Sequence, residues 1–596
     1  MLDPRIYRTG LVLVAMAVLV LAFSLQNQPG AVSSTLAPDA FNGQNVFNAM
    51  VAMAGPNGVQ DRRPGSEGDK SLASSVAISF ERYGFAVTRD VFTGRTADGT
   101  RTLENVVAVR PGTQSGSIVV IAHRDARASP PAVASLSGTA TLVELARDLE
   151  GETLHRTVVL ASTTGAQGTA GALRLAATLG GPVDAVLALG DLAGGHQRQP
   201  IVVPWSTSPD VAPPRLRNTI AAELNQQATL PVGGTSLFGQ FLHLAFPLTV
   251  SEQAPFGSLG VPAVLISLSG ERGPAPSDPL SGVDALNATG RSVLATISAL
   301  DSAPTLPAAS AYVLLDNKVV PGWAISVFVL ALIVPVLLTT IDGLARARRR
   351  GHAVWRWLVL TLLAAVPFAL AVLVVLAARL LGALPVAPAA PTPAGAVPIA
   401  SGGIAVLVVA ALVALGSGLL VRPLAVGFAR PRARSRAPGR DSAIEGAVVG
   451  LLAVACLVTF ALWTANPFAA ALVLPGLHLW LVALSPDLRL RFALRLGLLL
   501  VGLVPLALVP VYYAATLGYS PGDGLWMLTL LIAGHGVGLA ATVEWSVFAG
   551  CVLTAAAVLV ALARQPRPEE APVTVRGPVG YAGPGSLGGT ESALRR

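Results

Sequence analysis

Apolar and polar positions follow two different rhythms along this chain, and the change falls near residue 320. Before it, apolar runs are short and end on polar residues. Ile118-Val119-Val120-Ile121-Ala122 runs into His123-Arg124-Asp125, the run 156–161 leads to the polar turn Gly165-Ala166-Gln167-Gly168, and the run 185–189 ends at Asp191. A small-residue segment, Ser135-Leu136-Ser137-Gly138, opens a helical pattern over 141–147, and further helical patterns cover 40–55, 71–83 and 285–300. Short apolar runs bounded by turns are buried strands, and strands alternating with helices predict a parallel sheet. The first strands are expected from Gly84-Phe85-Ala86-Val87 and over 105–109. Polar residues at the C-terminal strand ends lie where open α/β sheets place their sites.

After residue 320 the apolar runs are long: 322–342, 358–381, 404–421, 443–464, 468–484, 496–516 and 525–563. The last is too long for one span and short for two, so a part-lateral or re-entrant piece is expected near Gly534-His535-Gly536. Arginines cluster at 346–350, 422–440, 489–495 and 564–567, alternating with the Pro/Ala-rich stretch 385–398, Asn466-Pro467 and the turn 519–524. The positive-inside rule puts the basic ends in the cytoplasm and the others outside. Arg5 and Arg8 before the apolar run 10–23 fit a signal peptide or a signal anchor, and either leaves the following region extracytoplasmic. The expected organisation is an N-terminal anchor (1–27), an extracytoplasmic α/β domain with a mainly parallel, mixed sheet flanked by helices (28–310), and a linker (311–321). An all-α transmembrane bundle of about seven spans (322–565), making eight in all, and a disordered Gly/Pro-rich tail (566–596) complete it.

Composition agrees with this division. Of 596 residues, 53% are hydrophobic and 12% charged, with a mean hydropathy of +0.63, as in polytopic membrane proteins. The net charge of +8 is carried by arginines in short loops between apolar runs. That is a topology signal, not a nucleic-acid footprint. Lys70 and Lys318 are the only lysines, which suggests a GC-rich bacterial source. Cys456 and Cys551 both lie in apolar runs, so the α/β region has no disulfide.

The chemistry gathers at His123-x-Asp125, Ser137-Gly138, Gln167-Gly168-x-x-Gly171 and Asp191, preceded by Arg62-Arg63-Pro64-Gly65-Ser66 and followed by Gly260-Val261-Pro262. Over residues 60–300 this series resembles the co-catalytic zinc aminopeptidases of the zinc-dependent exopeptidase superfamily. The resemblance implies a two-zinc site with a bridging carboxylate and a general base. It also exposes departures. The bridging Asp falls on Ala134, the paired glutamates on Gly165 and Ala166, and the final His on Pro274. Glu252, in Ser251-Glu252-Gln253-Ala254-Pro255-Phe256, matches a neighbouring motif and not the base.

His123 and Asp191 are left as the metal candidates, with Asp125 bracing the histidine. Two ligands rarely hold zinc, so no cofactor and no catalytic residue are assigned, and His123, Asp125 and Asp191 form a residual pocket. Ser162, Thr163 and Thr164 lack a nucleophile elbow and read as turn residues. In the apolar half, His478, His535 and Glu544 are candidates for an intramembrane polar path, the glycines around His535 also suiting close helix packing.

An anchor, a peptidase-like exterior domain and a polytopic bundle resemble the architecture of the peptidase-like subunit of glycosylphosphatidylinositol transamidase. Protease-like domains without metal ligands, as in the transferrin receptor and nicastrin, act in binding. The resemblance therefore implies a cell-membrane pseudoenzyme serving recognition or assembly. Its partners would be the lipid bilayer and a peptide chain end, a lipid headgroup or other envelope proteins. A membrane-tethered aminopeptidase and a transporter-like bundle with an accessory domain are the alternatives. Metal content separates the first and a polar cavity between spans the second.

Overall fold

The computed structural model describes residues 4–33, 38–55, 61–126, 131–429, 440–488 and 490–564. The tail 566–596 and most of the basic loop 422–440 lie outside them, the part up to residue 429 being helical.

The first half runs α1 (Pro4–Phe23), β1 (Gln26–Asn27), α2 (Gly43–Ala54), α3 (Glu67–Arg82), β2 (Ala86–Thr96), β3 (Gly99–Arg110) and β4 (Ser117–His123). It continues with α4 (Ser137–Asp148), β5 (Thr157–Thr163), α5 (Ala170–Thr178), β6 (Val183–Leu189), β7 (Val202–Val203), α6 (Pro214–Ala228) and α7 (Leu237–Ala245). Then come α8 (Ala254–Ser258), β8 (Ala263–Ile266), α9 (Val283–Ser302), β9 (Tyr312–Leu315) and β10 (Lys318–Pro321).

Seven strands form one sheet in the order β2-β3-β5-β4-β6-β8-β7. The central block β5-β4-β6-β8 is parallel, as the alternating pattern predicts. The other three pairings are antiparallel, so the sheet is evenly mixed. The cause is local: Asp98-Gly99 closes a tight β2–β3 hairpin, with Gly99 at φ 92° where a side chain would be strained.

The period of two assigns the faces. Ile118, Val120 and Ala122 pack beneath α2, α3, α4, α6 and α9. Val119 and Ile121 face α5, α7 and α8, in an apolar layer that continues without a break into the helices Gly322–Arg349, Arg440–Ala465 and Pro467–Ala483 of the second half. The α/β unit is therefore seated on the apolar helices. The stretch 311–321, expected as a linker, is a hairpin: two short apolar runs meet at Asp316-Asn317, Asp316 adopts φ 52°, and β10 pairs with β1.

The apolar half comprises α10 (Gly322–Arg349), α11 (Val354–Leu363), α12 (Val366–Leu380), α13 (Ser401–Ala429), α14 (Arg440–Ala465), α15 (Pro467–Ala483), α16 (Phe492–Val501), α17 (Val504–Leu517), α18 (Pro521–Gly534) and α19 (Leu539–Ala563). Six helices of the described chain, α1 included, are long and apolar enough to cross a membrane, or seven if α16 and α17, bent by 47°, are one span. Eight is reached only by adding α15, apolar but 17 residues long. The ambiguous 525–563 run resolves into the short α18 and the full-length α19, broken at His535 with φ 64°.

The loops between the long helices fall into two groups. Asn466 Nδ2 donates to Leu244 O (2.8 Å), Gly518 abuts Arg272, and Pro388 abuts Gly168, so the loops 385–398, 466–467 and 518–521 meet the α/β unit. At the opposite ends Arg350 pairs with Glu445 (3.3 Å), and Arg495 caps α15 by donating to Ala483 O (2.7 Å).

Candidate functional site

β4 is buried along its length and delivers His123 to the sheet's C-terminal edge. The two residues after it diverge. Arg124 turns inward and is fully buried. Its Nε lies 2.8 Å from Asp69 Oδ1, while Nη1 and Nη2 donate to Ser162 O (3.0 Å) and Glu104 O (2.5 Å). Asp69 belongs to the first turn of α3, whose N-cap is Ser66. Its other oxygen accepts from Gly65 N (2.9 Å) and Thr164 Oγ1 (2.8 Å). One buried ion pair thus ties α3 to β3, β4 and β5 behind the histidine. Gly65 sits at φ 73° and a Cβ there would fall 2.5 Å from Thr102 O, which explains the glycine of the Arg-x-x-Gly-Ser run.

Arg62, also buried, donates to Ala132 O (3.0 Å) and approaches Ser135 Oγ (3.4 Å). Burial pushes its pKa down to about 10, opposed by the charge of Asp125. Asp125 places both carboxylate oxygens 3.2 Å from Ala166 N. Burial pushes its carboxyl up to about 7, with His123 pulling the other way.

His123 keeps a quarter of its side chain exposed (24%), and its Nδ1 lies 3.5 Å from Glu252 Oε2. The other oxygen of Glu252 accepts from Thr163 Oγ1 (2.5 Å). Burial works against the imidazolium, but the bond to Glu252, its charge and that of Asp125 outweigh it, so the pKa lies above the ordinary histidine value.

β4 and β6 pair in parallel up to Ile121 and Ala188, so His123 and Asp191 follow adjacent strand ends, as the sequence predicts. Their side chains do not converge. Asp191 Oδ1 accepts from Ala193 N (3.0 Å), and its Oδ2 is buried without a partner. Burial raises its pKa.

The residues present do not fit a zinc pair. Where the resemblance requires carboxylates, Ala134 and Ala166 carry methyl groups and Gly165 only hydrogen, and Ala166 instead gives its amide to Asp125. Among the described residues no group of three or more His, Cys, Asp or Glu side chains is placed to hold a metal ion.

The three membrane candidates are not joined to one another. His478 Nδ1 accepts from Tyr7 OH (2.8 Å) and its Nε2 donates to Leu332 O (3.0 Å), clamping α1 and α10 to α15. His535 contacts Arg379 at the end of α18, and Glu544 lies partly exposed in the second turn of α19. The imidazole of His478 bonds to neighbouring helices on both of its nitrogens.

Thr163, read as a turn residue, ends β5, and three further residues of the site, Glu252, Arg62 and Arg124, have no role readable from sequence. Their signals were present in the Ser-Glu-Gln-Ala-Pro-Phe, Arg-x-x-Gly-Ser and His-Arg-Asp runs, but none states which strand end it faces.

Neither a protein-family model nor a curated protein matches the sequence. Among solved structures, an aminopeptidase of Legionella pneumophila is similar at 16% identity over 45% of this chain and 74% of its own, with a TM-score of 0.35. A glutaminyl cyclase of Porphyromonas gingivalis is similar at 17% identity over 44% of this chain and 98% of its own, with a TM-score of 0.33. A zinc aminopeptidase from Bacillus subtilis is similar at 10% identity over 45% of this chain and 98% of its own, with a TM-score of 0.36.

Proposed function

We propose that this is a multi-pass membrane protein whose α/β unit, outside the cytoplasm, binds a ligand at the His123 pocket without cleaving it, serving as a recognition or assembly subunit. In this reading 4–23 is a retained anchor, 28–310 the binding domain and 322–565 the membrane bundle.

The observation that carries the reading is the commitment of the acidic side chains. Glu252 is held by Thr163 and His123, and Asp125 by Ala166 N. A hydrolase that activates water through metals needs carboxylates free to bridge or ligate them. By the resemblance the carboxylate positions carry methyl groups at Ala134 and Ala166 and hydrogen at Gly165, and a proline ring, Pro274, stands at the position of the final histidine. What remains is a strand end with one partly exposed imidazole, able to meet a peptide chain end or polar headgroup.

The purified full chain should show no turnover of aminoacyl or pyroglutamyl-forming substrates with zinc, manganese, cobalt or magnesium added. Turnover that disappears in His123→Ala would refute the proposal.

A further inference from the structure

A second site lies away from His123, at the seam between the α/β unit and the three-stranded sheet. A cavity of about 280 Å³ is lined by Arg217 of α6, Gln240 of α7, Gln28, Trp205, Tyr312 and Asp316 among others. Most of its polar lining is spent internally. Gln240 donates to Thr235 O (3.0 Å) and Leu314 O (3.2 Å) and accepts from Leu314 N (2.7 Å), while Tyr312 OH donates to Ala212 O (2.6 Å). Two charged groups are left to address a ligand. Arg217 commits one nitrogen, Nη2, to Gly233 O (3.2 Å), and Asp316 is exposed in the β9–β10 turn.

The position of the cavity says what reaches it. Gln28 closely follows α1, and Asp316 lies in the hairpin that runs straight into α10, both helices apolar enough to cross a membrane. Its rim therefore stands where the chain leaves the hydrocarbon layer. Around that rim large apolar side chains point outward: Leu237 is 47% exposed, Phe238 39%, Leu315 43% and Trp323 57%. An exposed apolar belt with a tryptophan at the ends of spanning helices suits the headgroup boundary, where acyl chains cover it.

We propose that this cavity holds the head of a membrane phospholipid, with its phosphate on Arg217, an amine of the head on Asp316, and its acyl chains outside along Leu237 and Phe238. A guanidinium presents a fork that matches phosphate oxygens. The volume lies at the lower end of small-molecule pockets, so it takes a compact head and excludes the chains. One cation facing one carboxylate favours a zwitterionic head over an anionic one. The inference rests on the membrane reading of the apolar helices and not on what the His123 pocket binds, so a hydrolysis assay bears on one and not the other.

The test is native mass spectrometry of the full chain in detergent, titrated separately with phosphatidylethanolamine, phosphatidylglycerol, diacylglycerol and chain-free glycerophosphoethanolamine. Phosphatidylethanolamine should bind tightest, phosphatidylglycerol more weakly, and the other two at least tenfold more weakly. Arg217→Ala should weaken phosphatidylethanolamine binding about tenfold or more, Arg217→Lys less, and Asp316→Asn should remove its advantage over phosphatidylglycerol. If Arg217→Ala does not fold, Arg217→Lys and Asp316→Asn carry the test. Diacylglycerol binding as tightly as phosphatidylethanolamine, or no effect of the Arg217 variants, would overturn the site. Glycerophosphoethanolamine binding as tightly as the lipid would make it a site for a soluble phosphate, and an unchanged preference in Asp316→Asn would overturn the place of the amine.

Discussion

Removing the Asp69 carboxylate should loosen the whole frame that holds His123. Arg124 is 0% exposed and Asp69 1%, with their charges 2.8 Å apart. Breaking a buried pair by deleting one partner leaves an uncompensated charge and costs about 3–5 kcal/mol. The deletion also strands Gly65 N and Thr164 Oγ1, which both donate to Asp69. Because the pair joins α3 to β3, β4 and β5, the effect should appear there first and leave the distant helices unchanged.

Hydrogen exchange of the full chain in detergent, read by mass spectrometry on peptides of β3, β4 and β5, measures local opening directly. At 1.4 kcal/mol per factor of ten, Asp69→Ala should accelerate exchange in these strands by roughly a hundred- to several-thousand-fold. Asp69→Asn, which keeps an acceptor but no charge, should fall between. The double variant Asp69→Ala with Arg124→Met should recover much of the protection, because removing both charges spares the protein the unpaired one. Acceleration below tenfold in Asp69→Ala, or a double variant less protected than the single, would refute the reasoning.

The His123–Glu252 pair predicts a pH signature. A histidine pKa raised by folding adds stability that is fully present below the unfolded value, near 6.5, and lost as pH rises through the folded value. The melting temperature of wild type should therefore exceed that of Glu252→Gln most below pH 6.5 and converge with it in alkali; a gap independent of pH would contradict this. In α1, a Cβ at Gly10 would lie 2.6 Å from Pro335 Cα, whereas one at Gly416 meets nothing within 4 Å. Gly10→Leu should therefore lower stability by about 1–3 kcal/mol and speed proteolysis just after residue 23, with Gly416→Leu as the silent control. Equal behaviour of the two would show that α1 does not pack on α10.

The sequence was most informative where one physical rule decided the outcome. The buried runs ending at His123 and Asp191 are neighbouring parallel strands, because a short apolar run between turns has few other fates. The break near His535 followed from span length alone. Failures came where two rules competed or where contact is remote in sequence. The run 311–321 is short enough for a connector, but its two apolar runs flank a polar turn, and Asp316-Asn317 tips it to the hairpin. Glu252 was matched by motif to a place other than His123, but the turn before α8 brings it there. No periodicity records that Arg124 turns inward beside the partly exposed His123, or that His478 meets Tyr7 from the far end of the chain.

The central claim, a peptidase-like frame that binds without metal chemistry, is tested most directly by metal stoichiometry. The full chain would be purified without chelators, equilibrated with micromolar zinc, desalted and measured by plasma mass spectrometry beside His123→Ala. Two divalent cations about 3.5–4 Å apart need carboxylates to offset their repulsion, and Ala134, Gly165 and Ala166 supply none. The account predicts well under one zinc per chain and no difference between the two proteins. One or two tightly held zinc ions, lost in His123→Ala, would contradict it.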